Sequence, residues 1–210
     1  MRAEYKNEDQ PIIRQNGDKA WYKDGKLHRD NGLSAVEKIN GTKSWWVNGE
    51  LHREGGLPAI EFVNGEKSWY INGLLHRDGD LPAIECTNGD KSWYKNGLVH
   101  RDNDLPAIEY ANGTKSWWVN GELHREGGLP AIERADGTKS WWVNGKRLTN
   151  DERIAYISFC QKMQEKKRIR AQKRIYFWWI QICYDLEHPS GCGIRMARKN
   201  LEIFETMMSV

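Results

Sequence analysis

Short apolar and aromatic runs alternate with two-residue polar breaks over most of this chain. Leu57-Pro58-Ala59-Ile60-Glu61-Phe62-Val63 is followed by Asn64-Gly65, then Lys67-Ser68-Trp69-Tyr70-Ile71, then Asn72-Gly73, then Leu74-Leu75-His76-Arg77. Asn-Gly between such runs is the strongest local signal for a hairpin, because both central residues of a type I′ turn need positive φ. Each stretch therefore reads as strand, turn, strand, turn, strand. Pro58, Pro82, Pro106 and Pro130 fall at strand starts, where a missing N–H is tolerated. With two-residue loops at both turns, Ile60 is expected opposite Trp69 and Ala59 opposite Tyr70. Across the second turn, Trp69 is expected opposite His76 and Tyr70 opposite Leu75. One face then carries Ile60, Trp69 and His76, and the other Ala59, Tyr70 and Leu75.

The pattern recurs with a period of 24. Asn-Gly starts at 16, 40, 64, 88 and 112, with Asp136-Gly137 continuing the series; a second series starts at 48, 72, 96, 120 and 144, with Asp24-Gly25 in the first unit. A fixed period of this length marks a repeat architecture, in which each unit buries apolar surface against its neighbours. Residues 40–61 and 112–133 are identical, as duplication of a three-unit block would leave them. The expected fold is mainly β: an elongated, twisted antiparallel meander sheet of 24-residue repeats, capped by a C-terminal α-helical segment. The expected divisions are a partial N-terminal repeat over 1–15, six units over 16–148 with the last incomplete, and a basic, aromatic helical cap over 149–210.

In that tail, Thr149-Asn150-Asp151-Glu152 reads as a helix start, with a capping side chain and acids in the first turn. The helix is expected to run to about Arg174, with Ile175 to Leu186 a buried helix, a break at His188-Pro189-Ser190-Gly191, and a last helix over 194–208. The array is close to charge-neutral, whereas the tail is basic. The apolar stretch from Ile175 is too short to cross a bilayer, which takes roughly 20 residues. Lys166, Lys167, Arg168, Arg170, Lys173 and Arg174 lie beside Trp178 and Trp179, a combination suited to anionic headgroups at a membrane surface.

Composition adds one constraint: eleven Trp in a chain of mean hydropathy −0.81 imply burial through aromatic rings rather than aliphatic packing. The Trp45, Trp69, Trp93, Trp117 and Trp141 series reads as an internal ladder or a partner-binding surface. His52, His76, His100 and His124 repeat with it and are expected to be structural, stacked beside Trp. Equivalent histidines two strands apart are separated by roughly 9.6 Å, too far for one metal ion; no metal or cofactor is expected. Asp78/Asp80 and Asp102/Asp104 read as turn residues, since the equivalent loops Glu54-Gly55-Gly56 and Glu126-Gly127-Gly128 lack the second acid. A near-neutral array argues against nucleic acid. No triad, phosphate loop or carboxylate pair breaks the repetition, so the chain reads as non-enzymatic, without a small-molecule substrate. Cys86, Cys160, Cys183 and Cys192 have no paired spacing and read as free thiols of a reducing compartment. With no apolar core after Met1, the protein is expected to be intracellular rather than secreted.

Trp46-Val47-Asn48-Gly49-Glu50-Leu51-His52 resembles the W-x-x-G-x-x-H centre of MORN repeats, which are short double-stranded units stacked into elongated sheets. The longer phrase over 88–109 resembles the MORN-like repeat proteins of giant DNA viruses of the marseillevirus type. Arg29, Arg53, Arg77, Arg101 and Arg125 stand where MORN repeats usually carry Gly. The resemblance implies a repeat scaffold whose partners are proteins, either virion components or further copies of itself, in the host cytoplasm and the virion. A peripheral membrane protein held by its tail is the alternative.

Overall fold

The computed structural model describes residues 10–183, with side chains placed through Trp178. Residues up to Ala155 form one unit and those from Tyr156 onward a second. The first contains 24 two-residue strands, from Ile12–Ile13 to Lys146–Arg147, four to a repeat. The mainly β class and the tandem hairpins expected from the pattern are present, followed by one helix, α1, at Asn150–Cys183.

Within each repeat the first two strands and the last two part company. Ile60–Glu61 pairs with Lys67–Ser68, which pairs again with Ile84–Glu85 of the next unit. Carried along the chain, this makes a 12-stranded antiparallel meander in sequence order. Tyr70–Ile71 and Leu74–Leu75 form a separate hairpin, one of six outside that sheet. The expected continuous strand from Lys67 to Ile71 is therefore corrected: it divides at Trp69. The Trp69 N–H donates to the Ala83 carbonyl at 2.8 Å in the sheet, and its own carbonyl accepts from His76 N at 3.2 Å in the hairpin.

The two turn series, alike in sequence, behave differently. At the second, Asn72 and Gly73 have φ of 49° and 77°, the type I′ signature, and Tyr70 opposes Leu75 as expected. At the first, Ile60 opposes Ser68 rather than Trp69. Here Phe62 N donates to the Glu66 carbonyl and Gly65 N to the Phe62 carbonyl, both at 2.9 Å. The loop thus holds three residues, Val63-Asn64-Gly65, with Gly65 at φ 89°. Asn64 instead uses its Oδ1 to accept from Glu66 N at 3.1 Å, the local bond that makes Asn a turn residue. One extra loop residue moves each side chain of the strand to the other face. Ile60 therefore shares a face with Ser68 and Ile84, while Glu61 shares the opposite face with Lys67 and Glu85.

The core is thin. Ala20, Ala35, Ala59, Ala83, Ala107 and Ala131 are fully enclosed, and Trp21, Trp45, Trp69, Trp93 and Trp117 are 5–7% exposed, while no large side chain among the described residues is completely buried. From Trp45 to Trp117 each of these indoles also satisfies its N–H: Trp69 Nε1 donates to Gly56 O at 2.8 Å, and Trp93 Nε1 to Asp80 O at 3.0 Å. Aromatic area stands in for aliphatic packing, as the composition suggested.

At the end of the array the pattern changes. Leu148 and Thr149 occupy the places of His and Arg, and Arg153 of α1 comes over Trp141 at 4.8 Å. Thr149 Oγ1 accepts from Glu152 N at 3.3 Å, and Glu152 Oε2 accepts from Thr149 N at 2.9 Å, a reciprocal capping box. The Lys146 ammonium, and after it the Thr149 backbone N–H and hydroxyl, hold the Glu152 carboxyl down to about 2, against an ordinary value of 4.5. A depressed carboxyl stabilises the fold above its unfolded value and loses that contribution as pH falls through the folded one. Helical ellipticity is therefore expected to decline between about pH 4.5 and 2. That decline should be smaller in Glu152→Gln, by circular dichroism.

The expected junction at residues 174–175 is absent; α1 continues to Cys183. No Gly or Pro lies between Asn150 and Cys183 to interrupt it. The expected burial from Ile175 is corrected too, since Ile175, Phe177 and Trp178 are 64–65% exposed. The expected break at 188–191 and the last helix, like the Trp179 side chain, lie outside the described residues.

Candidate functional site

The strongest repeated constellation is one that the sequence reading did not assemble. Arg29, Arg53, Arg77, Arg101 and Arg125 each lay a guanidinium over the Trp eight residues earlier, at 3.6–3.8 Å from the ring centroid. Cation and ring attract through the ring quadrupole. His76 opposes Trp69 across the second turn as expected, its N–H donating to the Trp69 carbonyl at 3.2 Å. Arg77, one residue on, covers the indole. Each Arg also reaches the Glu eight residues later, as in Arg77 Nη1 to Glu85 Oε1 at 2.7 Å and Arg101 Nη1 to Glu109 Oε1 at 3.1 Å. A signal for this was present: Arg and Glu recur eight apart in five successive units.

Arg101 is tied four ways, to Trp93, to Glu109, to the Pro106 carbonyl, and through Nε and Nη2 to both oxygens of Asp80 at 2.9 and 3.0 Å. Arg125 uses Asp104 likewise. Arg77 faces Gly56 at that position, and its buried Nε has no hydrogen-bond partner. A Cβ at Gly56 would meet nothing within 4 Å, and Asp80 and Asp104 already hold the same left-handed region, at φ 54° and 55° against 69° for Gly56. Gly56→Asp is expected to stabilise the protein by about 1 kcal/mol through the new charge-assisted bond, read as a higher urea midpoint.

The histidines stitch units together. Nδ1 of His28, His52, His76, His100 and His124 accepts from the backbone N–H of the Asn that opens the next unit's second turn, at 3.0–3.2 Å. Accepting there leaves the ring proton on Nε2, and in three units that nitrogen meets the Asp two residues on: His28–Asp30, His76–Asp78 and His100–Asp102. The Asp30 carboxyl is lowered by Lys23 and then His28, and that of Asp102 by His100 and then Lys95. Among the described residues no group of three His, Cys, Asp or Glu side chains converges as metal ligands would.

Between successive units lie four shallow grooves of about 230–280 Å3. Each is floored by the buried Trp and walled by two His–Arg pairs, all engaged as above. Its unengaged wall is a half-exposed leucine: Leu33, Leu57, Leu81 or Leu105.

On the other face, where Ile60 and Ser68 point, runs a second aromatic series. Tyr22, Trp46, Tyr70, Tyr94, Trp118 and Trp142 are half-buried, and the indole N–H of Trp118 donates to Ser116 Oγ at 2.9 Å. An open groove of about 330 Å3 is lined there by Tyr110, Ser116, Trp118, Leu123, Ile132 and Arg134 among others. Phe62 and Tyr110 rise from this face, 37% and 42% exposed. Trp45, Trp69, Trp93 and Trp117 are thus the internal ladder, with Trp141 half-buried at its end. In the second series Tyr70 lies opposite Leu75, as the pattern predicted, and the exposed rings of Phe62 and Tyr110 flank that series.

On α1, Lys166, Lys167, Arg170, Lys173 and Arg174 are exposed and follow the i, i+3, i+4 spacing of one helix face. Phe177 and Trp178 continue the same face. Arg168 is instead paired with Glu165 at 2.7 Å. No helix among the described residues is long and apolar enough to cross a membrane. The chain matches no family model, no curated protein and no solved structure.

Proposed function

We propose that this chain is a non-enzymatic repeat scaffold that binds protein through its array. The observation that carries the reading is the open face described above, with its half-buried aromatic row and the exposed rings of Phe62 and Tyr110. Rings held in place on strands present large contact area with little side-chain entropy left to lose, which is how interface anchors work. Non-enzymatic action is supported by the groove chemistry: each His and Arg that could act on a substrate is already committed to a backbone, ring or carboxylate partner. The resemblance of residues 88–109 to MORN-like repeats of giant viruses supports a virion-associated or host-interacting component. Phe62→Ser/Tyr110→Ser is the test, because both rings are exposed enough for the fold to survive. Affinity capture from the native source should recover a partner with the natural protein and lose it with this variant. Equal recovery by both would end the assignment of that face.

A second reading, a peripheral membrane protein, is favoured by the α1 face on which five cations adjoin Phe177 and Trp178. Flotation with anionic vesicles decides it. Binding that is lost in Lys166→Gln/Lys173→Gln/Trp178→Ser supports this reading, and absence of flotation removes it.

A further inference from the structure

The opposite face of the 12-stranded sheet carries a charge pattern that neither reading uses. Lys and Glu alternate from strand to strand: Lys43, Glu61, Lys67, Glu85, Lys91, Glu109, Lys115, Glu133 and Lys139 stand in register across successive pairs. The two signs are not equivalent. Glu61, Glu85, Glu109 and Glu133 are each held by an Arg at 2.7–3.1 Å. Lys43, Lys67, Lys91, Lys115 and Lys139 are exposed and form no salt bridge with any described residue. What remains is a single file of uncommitted ammonium groups, one per repeat, with carboxylates between them.

Two strands per repeat set the file's spacing at roughly 9.6 Å. A densely charged polymer fits it badly. Duplex DNA carries a phosphate about every 3.4 Å along each strand, so most of its charges would fall on the intervening Glu positions. A polypeptide in the polyproline II conformation fits well. It has three residues per turn and rises about 3.1 Å per residue, so every third side chain points the same way at steps of about 9.3 Å. We infer that this face binds an extended acidic polypeptide, in polyproline II form, with a carboxylate at every third residue. The inference rests on the reading of the array as an interaction surface, but it uses the face opposite the aromatic row. Each exposed pair is weak by itself, so affinity comes from engaging several lysines at once.

Three labelled peptides with six glutamates each separate the possibilities by fluorescence anisotropy at low salt with the full chain: (Glu-Pro-Pro)6, (Glu-Pro)6 and (Glu-Pro-Pro-Pro)6. The every-third peptide is expected to bind at least about tenfold more tightly than the other two. That advantage is expected to disappear in Lys67→Gln/Lys91→Gln/Lys115→Gln, to persist in Phe62→Ser/Tyr110→Ser, and to shrink as salt is added. Equal binding of all three peptides, binding of none, or an unaffected lysine variant would overturn the inference. So would tighter binding of a soluble polyuronate than of any peptide. If the peptides fail while aromatic-face capture survives, the inference falls and the scaffold reading stands. Loss of capture with intact, spacing-dependent peptide binding would displace the aromatic face alone.

Discussion

Trp93→Ala is expected to cost about 3–5 kcal/mol, the range for removing a large buried ring, and to leave the array the least stable of any single change in a central repeat. Trp93 is 6% exposed, its indole N–H donates to Asp80 O, and Arg101 stacks on it at 3.8 Å. Truncation opens a cavity, strands the Asp80 carbonyl, and leaves Arg101 without the surface that holds it between Asp80 and Glu109. Trp93→Phe keeps a ring under the guanidinium and loses only the hydrogen bond and part of the area, so it should fall between alanine and the natural residue. Urea unfolding followed by circular dichroism measures all three. If Trp93→Ala unfolded at the same midpoint as the natural protein, the indole ladder would not be the core.

Ala107→Leu is expected to cost about 2 kcal/mol or more, for the opposite reason. Ala107 has no exposed surface. Its N–H donates to Ser116 O at 2.9 Å and its carbonyl accepts from Trp93 N at 2.8 Å. With the backbone held on both sides, the strand cannot withdraw to admit three more carbons, and overpacked cores pay in off-rotamer side chains and backbone shifts. Val63→Leu, at a site 64% exposed, is the matching control and should leave the midpoint unchanged. An Ala107→Leu protein as stable as this control would mean that the alanine layer has slack.

Much of the architecture was legible in the chain because it is local. The 24-residue period, the hairpins and the type I′ turns at Asn48, Asn72, Asn96, Asn120 and Asn144 follow from Asn-Gly chemistry alone. The first turn series was misread because the same dipeptide serves a three-residue loop, in which only Gly65 takes positive φ. What selects between the two is the fit of the flanking strands, and that depends on pairing with the next unit. Nor could a run of strand-forming residues reveal that the chain leaves the sheet at Trp69, since the bond from Trp69 N to the Ala83 carbonyl reaches into the next unit. The Arg–Trp stack escaped for a related reason: His76 opposes Trp69 in the ladder, but side-chain length, not register, decides which residue covers the ring. In α1 the hydrophobic content of residues 175–180 suggested burial, whereas its exposed aromatic residues adjoin a basic helix face. Of the candidate surfaces, the ladder positions and the pairing of Tyr70 with Leu75 were legible, while the exposed rings at 62 and 110 and the uncommitted lysines emerge only when register and ion pairs are known.

Every seam in the array is made by one unit touching only the next: His76 to Asn96, Trp69 to Ala83, Arg101 back to Asp80. Residues 40–61 and 112–133 spell the same words near opposite ends of that row, the first with several units downstream and the second followed by the Arg153 clasp. The molecule thus carries its own matched pair. Amide exchange that differs between the two stretches reports neighbours alone, because intrinsic sequence effects cancel, and so gives the strength of a single link without any substitution.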